Sequence, residues 1–554
     1  MVNLEKLTLP VMLQASFERF GDKESLVFAG EERRTYQDLK FEVENLGARL
    51  RNMGIVRGTK VAILSINMPH WGIAYFAIAS VGAVIVPILP DFHPGEVRNI
   101  IQHSGAEAIF VSENLISKLE TEEYPLMRVI RIEDFKEINA ADYPSPVMEG
   151  ASAAFEYEDV DEDDVLSIIY TSGTTGKSKG VMLTHKNIIW TTRQCEYLQD
   201  INSGDRFLSV LPLSHTFENT LGLMLPVMHG ASVHYLHKLP TPAVLLPALQ
   251  VVKPTIMLIV PLIIEKIYRG KILPQINSKA VTRGLYRYRV SQKLINKMAG
   301  VKLYETFGGK LRFFGIGGAK LDNQVERFLM DTKMPMAIGY GLTETSPLLA
   351  GAVGKNVRYL STGIPLEGVK LRIANADPAT GEGEIQARGG NVMKGYYKEP
   401  VLTADAFTDD GWFRTGDLGH FDQSGFLYIK GRIKNMIVGS SGENIYPEEI
   451  ESVINRMEYV LESLVVQQKG RLVAMVHLNM EEIEKRFTQM KDEAVHMKEE
   501  AVQKFNARVD EILTEIQKKV NGQVNNFSRV QMVVLQPVPF EKTPTMKIKR
   551  FLYY

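Results

Sequence analysis

Between Glu32 and about Val260 the chain repeats one pattern, and that pattern limits its fold more than any other feature. Stretches of helical periodicity alternate with short runs rich in Val and Ile, among them Val61 to Leu64, Val84 to Leu89, Ala108 to Val111 and Ile256 to Val260. Strands that alternate with helices must return to the same sheet edge by crossovers, so the expectation is an α/β fold of layered, largely parallel sheets. Around Gly383 to Tyr428 the texture changes to short strands and Gly-rich turns, which predicts a β-rich subdomain. At Gly431-Arg432-Ile433-Lys434 a glycine and polar residues precede a new pattern: a helix from Glu448 to Asn455, then strands from Leu464 to Gln467 and from Leu472 to Leu478. At 554 residues the chain exceeds one hydrophobic core. The division predicted is a large domain, 1–430, and a small α+β domain, 431–554, mobile against the first.

One stretch could argue for a membrane instead. Trp71 to Pro90 carries no charge and is almost long enough to span a bilayer. Gly82 and Pro87 interrupt it, so a buried helix, Pro69 to Gly82, followed by a buried strand, Ala83 to Leu89, is the better reading. Charge narrows the partners: 64 basic and 65 acidic residues leave no global attraction for nucleic acid. The single cysteine, Cys195, excludes an internal disulfide and fits a reducing compartment. Glu5, Lys6, Glu18 and Arg19 break up any apolar signal-peptide core, so a cytoplasmic location is expected.

From Ile168 to His185 the chain reads I-I-Y-T-S-G-T-T-G-K-S-K-G-V-M-L-T-H. Gly176-Lys177-Ser178 is the tail of a Walker A loop, but position 171, where that loop needs glycine, is threonine, and no helix can start at once after Lys177. The first plausible N-cap is Thr184. What remains is a strand from Val165 to Tyr170, a small-residue loop and a second short strand. Hydroxyls at Thr171, Ser172, Thr174 and Thr175, the backbone around Gly173 and Gly176, and the charges of Lys177 and Lys179 could form an anion nest. A solvated hairpin loop fits the composition equally well.

Further motifs follow in order: Leu211-Pro-Leu-Ser-His215, Gly317-Gly-Ala-Lys-Leu321, Tyr340-Gly-Leu-Thr-Glu-Thr-Ser-Pro347, Gly383-Glu-Ile-Gln-Ala-Arg-Gly, Gly411-Trp-Phe-Arg-Thr-Gly-Asp417, Gly431-Arg432, Gly442-Glu-Asn-Ile-Tyr-Pro-Glu-Glu-Ile450 and Pro544-Thr-Met-Lys547. The series resembles the signature motifs of the adenylate-forming enzymes, which include acyl-CoA synthetases, peptide-synthetase adenylation domains and firefly-type luciferases. The resemblance covers nearly the whole chain, and its chemistry explains the residue types. A carboxylate that attacks the α-phosphate of ATP is already ionised and needs no general base. The demand is for cations and hydrogen-bond donors around the phosphates.

The resemblance implies ATP, Mg²⁺ and CoA as reactants. It assigns the phosphates to the loop from Thr171 through Ser172, Gly173, Thr174, Thr175 and Gly176 to Lys179. Adenine would lie between Gly317-Gly318-Ala319 and Tyr340, next to Gly341. Thr343 would contact the α-phosphate and Glu344 would hold Mg²⁺. Asp417 and Arg432 would grip the ribose, Lys547 would reach the reacting carboxylate, and the loop at Gly442 would face the thiol. His215 falls where the family keeps a histidine or aromatic group near the acyl site, although it could equally be a packed core residue. The chain departs from the family in Met546, where many members have glycine, and in a longer charged helix between Glu481 and Val520, whose apolar stripe includes Ile483, Phe487, Met490, Ala494, Met497, Ala501, Phe505, Val509, Ile512, Ile516 and Val520.

The interval Glu265 to Lys310 is similar to the insertion of long-chain fatty acyl-CoA synthetases, which implies a long-chain fatty acid as substrate. An acyl-carrier-protein ligase, a ligase for another carboxylic acid and, further off, a luciferase-like oxygenase stay open. Within this interval, Lys266 to Lys302 holds ten Lys or Arg and no Asp or Glu. It reads as a solvated helical face, or as a surface meeting an anionic membrane or an acidic carrier protein. A homodimer is also left open.

Overall fold

The computed structural model describes residues 4–119, 127–138, 155–171, 178–438, 444–489, 498–543 and 548–554. Two large sheets form the body of the protein. One is 7-stranded, in the order Gly395–Tyr396, Lys179–Thr184, Val165–Thr171, Val84–Ile88, Lys60–Leu64, Ala108–Val111, Arg128–Arg131. The other is 8-stranded, in the order Leu26–Phe28, Ser232–Tyr235, Arg206–Leu208, Ile256–Ile259, Phe313–Ile316, Met336–Gly341, Leu348–Val353, Ile364–Pro365. Neighbours in the interior of each sheet run parallel, and antiparallel strands are added only at one end. The α/β expectation holds.

Period-two alternation explains why the strands read as continuous apolar runs. In Lys60–Leu64, Val61 and Ile63 enter the main core, while Ala62 and Leu64 enter a second core on the opposite face. In the next strand Ile85 joins the first core, and Val84, Val86 and Ile88 join the second. A strand covered on both faces has no polar side to show in its sequence.

The charge-free stretch resolves into the helix Pro69–Ser80 and the strand Val84–Ile88. Every residue of the helix except His70 is buried, and Trp71 stacks on Tyr75 with ring centroids 5.2 Å apart. Among the described residues no helix is long and apolar enough to cross a membrane.

The β-rich part is a 4-stranded antiparallel sheet, Lys370–Ala374, Gly383–Arg388, Phe413–Phe421, Leu427–Arg432. It starts earlier than its sequence texture suggests, because the alternation from Lys370 to Ala374 is too short to stand out from its polar flanks. Gly431 and Arg432 are still in the last strand, paired with Leu418 and Asp417, and a single turn, Ile433–Asn435, follows.

Beyond it, Ile437, Ile450, Val465, Val476 and other residues gather into a core of their own. It is built on the helix Pro447–Ile454 and a 3-stranded sheet, Val460–Gln468, Arg471–Leu478, Met532–Leu535. The charged segment forms the helices Met480–Gln489 and Lys498–Asn521. Ile483, Val509, Ile512, Ile516 and Val520 are buried in that core and Phe505 packs against it, so this stripe serves packing. Met490, Ala494 and Met497 and the side chains of Phe487 and Ala501 lie outside the described set.

Candidate active site

The antiparallel hairpin Val165–Thr171 and Lys179–Thr184 places Thr171 opposite Lys179, at the two ends of the loop between them. Thr184 caps the following helix: its hydroxyl accepts from the Asn187 backbone N–H, and the Asn187 side chain accepts from Thr184 N–H in return. Ser178 and the strand from Lys179, the described residues that follow Lys177, are not helical, in keeping with the exclusion of a Walker A geometry.

On the other side of the hairpin, the two-residue strand Gly395–Tyr396 pairs with Met182 and Val181. This brings the Tyr396 ring within 5.1 Å of the Lys179 ammonium, a cation–π distance. The Tyr396 hydroxyl donates to Glu344 Oε1 at 3.0 Å. Burial, then the Glu344 carboxylate, pushes the phenol well above its ordinary range, so it stays a donor. A cation, a phenol and a carboxylate thus converge from three distant parts of the chain.

Glu344 lies in a tight turn, Thr343–Thr345, that follows the strand Met336–Gly341. The Thr345 hydroxyl ties this turn down by donating to Pro347 O at 2.6 Å and accepting from Leu342 N–H at 3.0 Å. Gly341 has no freedom to be anything larger: a Cβ there would sit 1.7 Å from the Pro347 carbonyl oxygen. Tyr340, just before it, sends its hydroxyl to Asp417 Oδ2 at 2.7 Å, and Arg432 Nε donates to Asp417 Oδ1 at 2.9 Å. Asp417 and Arg432 are register partners on adjacent strands. The Asp417 charge holds Arg432 above the usual guanidinium range. An ionised carboxylate held at both oxygens still has lone pairs left for two adjacent hydroxyl donors.

Gly317, Gly318 and Ala319 leave the end of the strand Phe313–Ile316, with Gly318 at φ +85°, a left-handed conformation that suits glycine. The Phe217 ring packs 3.1 Å from where a Gly317 Cβ would stand. His215 caps the same short helix as Phe217, its Nδ1 accepting from Phe217 N–H at 3.3 Å.

These groups share one cleft of about 3220 Å³. Thr171, Lys179, His215, Gly317, Gly318, Ala319, Tyr340, Gly341, Thr343, Glu344, Asp417 and Arg432 all line it. Ser172, Gly173, Thr174, Thr175, Gly176, Gly442 and Lys547 lie outside the described residues; Thr543 and Ile548, the described residues either side of the Lys547 segment, line the same cleft.

The family model for AMP-binding enzymes matches residues 13–397. The chain belongs to that family. This AMP-binding enzyme is 29% identical to a long-chain-fatty-acid–CoA ligase of Mycobacterium bovis over 551 residues, covering 90% of this chain and 87% of the relative. It is 29% identical to a chloroplastic long-chain-fatty-acid–[acyl-carrier-protein] ligase of Arabidopsis thaliana, covering 86% and 77%. It shares its fold with o-succinylbenzoate CoA synthetase from Bacillus subtilis, solved with an acyl-adenylate intermediate. That match has a TM-score of 0.75 at 21% identity and covers 98% and 97% of the two chains.

Two residues of the AMP-binding enzyme's cleft give no clear signal in the sequence. Tyr396 reaches the site through a strand of only two residues, too short for any periodicity. Glu218 sits three positions after His215, fully enclosed, with Ser209 Oγ donating to its Oε1 at 2.6 Å and no hydrogen-bond partner for Oε2 among the described residues. Burial pushes its carboxyl up to about 8, so it is largely protonated at neutral pH.

Proposed function

We infer that this enzyme joins a long-chain fatty acid to a thiol, with ATP converted to AMP and pyrophosphate by way of an acyl-adenylate. The observation that carries the reading is the reach of the cleft. It runs from the Asp417–Arg432 pair past Glu344 and Lys179 to Leu262 and, in the insertion, to Leu273 and Pro274, extends along residues between Asn435 and Tyr554 as well, and has several times the roughly 300–1,000 Å³ of an ordinary ligand pocket. Such a space suits a nucleotide at one end and a long apolar chain at the other. The fatty-acid ligases among its relatives support the same substrate class.

In this reading Asp417 accepts hydrogen bonds from the ribose hydroxyls, with Arg432 and Tyr340 holding its carboxylate in place. The adenine ring rests against Tyr340 and the Gly317–Ala319 turn. Lys179 and the loop starting at Thr171 neutralise phosphate oxygens, Thr343 donates to the α-phosphate, and Lys547 meets the attacking carboxylate. The donor set fits Mg²⁺. Glu344 would supply one carboxylate to the ion, a hard oxygen donor that suits it. Bound Mg²⁺ supplies positive charge beside the departing pyrophosphate. His215 and Phe217 border the acyl side.

We also assign the residues after the turn Ile433–Asn435 to a domain that moves between the two half-reactions, with Lys547 in place for adenylation and the Gly442 loop in place for the thiol. CoA is the acceptor in this proposal. The relative that acts on an acyl carrier protein defines the competing acceptor. Mass analysis of products after incubation with ATP, Mg²⁺, palmitate and either CoA or holo-acyl carrier protein decides between them. Palmitoyl-CoA as the faster product supports the reading, and preferential loading of the carrier protein contradicts it.

A further inference from the structure

The insertion presents a surface that the catalytic proposal does not use. Its helices Ala280–Leu285 and Arg289–Thr306 stand outward on a fixed base. Tyr286 donates to Asn296 Oδ1 at 2.8 Å, Asn296 Nδ2 donates to Asp331 at 2.9 Å, and Arg289 pairs with the same Asp331 at 2.7 Å. Away from that base the surface combines two features that rarely coincide on a solvated face.

The first is apolar. Val281, Leu285, Tyr288, Val290, Leu294, Met298 and Val301 are all exposed, Val290 to 86% and Val281 to 72%. Counting about 100° per residue, Val290, Leu294, Met298 and Val301 fall within about 80° of arc on the longer helix, roughly opposite its buried Asn296, Gly300 and Leu303. Single exposed apolar residues need no explanation, but a contiguous stripe does.

The second feature is charge. Of the ten cations between Lys266 and Lys302, Arg269 and Arg289 are held by Asp322 and Asp331; the other eight form no ion pair among the described residues. Lys293 and Lys297 lie along one margin of the stripe and Lys302 beyond the other. On the short helix Arg283 stands about 160° round from both Val281 and Leu285, so there the charge and the apolar residues face opposite ways.

We propose that the face of the helix Arg289–Thr306 that carries Val290, Leu294, Met298 and Val301 docks on an anionic lipid bilayer, its apolar stripe inserted at the headgroup level and the flanking Lys293, Lys297 and Lys302 set against lipid phosphates. An anionic bilayer takes such a face whole, the stripe at the acyl boundary and the cations at the headgroups. Tyr288, amphipathic and 71% exposed, suits that depth. The lining of the cleft continues to Asn277 and Ser278, immediately before Lys279, so a docked enzyme would have this part of its cleft near the membrane. That the bilayer also delivers the acid rests on the fatty-acid reading; docking itself does not.

The test uses the full chain without ATP or fatty acid, sedimented with vesicles of phosphatidylcholine alone or mixed with phosphatidylglycerol, at low and high salt. The wild type is expected to co-sediment with the anionic vesicles at low salt and to be released by salt or by removing the anionic lipid. Lys293→Glu with Lys297→Glu, and separately Leu294→Asp with Met298→Asp, should each lower the partition coefficient at least about tenfold. Phe41→Asp, on an exposed apolar residue elsewhere, should change nothing. Circular dichroism verifies that each variant is folded. The proposal is overturned if the wild type ignores anionic vesicles, or if the paired variants bind like the wild type. It is equally overturned if vesicle binding is absent and the same variants instead abolish self-association or capture of an acyl carrier protein.

Discussion

Lys179 is fixed on a strand at the end of the loop and seated over Tyr396. Lys179→Ala should raise the apparent KM for ATP and lower kcat, together by roughly tenfold to a thousandfold, as other charge-stabilising groups do; steady-state kinetics over a range of ATP measures it. Tyr396→Phe tests the partner that sequence reasoning overlooked: it keeps the ring under Lys179 and removes the hydrogen bond to Glu344, and a loss near tenfold is expected, visible as a higher Mg²⁺ requirement. Glu218 gives a pH signature. Its carboxyl is raised from 4.5 to about 8, so the folded protein holds a proton that the unfolded chain has lost, and stability due to this group declines as pH rises through that window. Glu218→Gln removes the titration. Its thermal midpoint relative to wild type should therefore rise between pH 5 and pH 8, by the equivalent of a few kcal/mol at most, and parallel profiles for the two proteins would remove Glu218 as the cause. At this scale the described residues that the structure gathers along the cleft, Lys179, Tyr340, Glu344, Asp417 and Arg432 among them, were legible because they fall in motifs. Tyr396 and Glu218 were not, since what distinguishes them is a contact or an enclosure made by remote segments.

Among the elements, the turn after Met336–Gly341 depends on a missing side chain. Gly341→Ala forces a Cβ into the Pro347 carbonyl, and the turn that carries Thr343 and Glu344 must shift. A loss of at least about 2 kcal/mol in stability is expected, together with a weaker apparent affinity for ATP, whereas Gly95→Ala, in a helix with open space around it, should be neutral to mildly stabilising. Differential scanning fluorimetry with and without ATP separates the two effects. Most strands and helices could be read from the sequence, because runs such as Val61 to Leu64 and Ala108 to Val111 are buried on both faces and stand out as apolar blocks. The limits of the β-rich sheet were less legible. Its first strand is half-exposed, and its last continues through Gly431 and Arg432, residues whose glycine and charge resemble a linker but which are paired in the ladder.

For the whole molecule, the account asks one cleft to serve two half-reactions with different residues. Lys547→Ala should abolish acid-dependent pyrophosphate exchange yet still convert supplied acyl-adenylate and CoA to thioester, and Gly442→Leu should do the reverse. Equal loss of both half-reactions in both variants, with folding intact, would mean a single static site. The order of the motifs made the architecture and the adenylation chemistry legible. Which acid the cleft takes was not, because the extent of a cleft is set by side chains from several elements rather than by any one stretch of sequence. The most direct measurement of the central claim is therefore pyrophosphate release from ATP and Mg²⁺ across a series of carboxylic acids from acetate to long-chain fatty acids, with and without CoA. The account predicts release that depends on the acid, is greatest with the long chains and accelerates when CoA is added. Release that is independent of the acid, or greatest with short or aromatic acids, would contradict it.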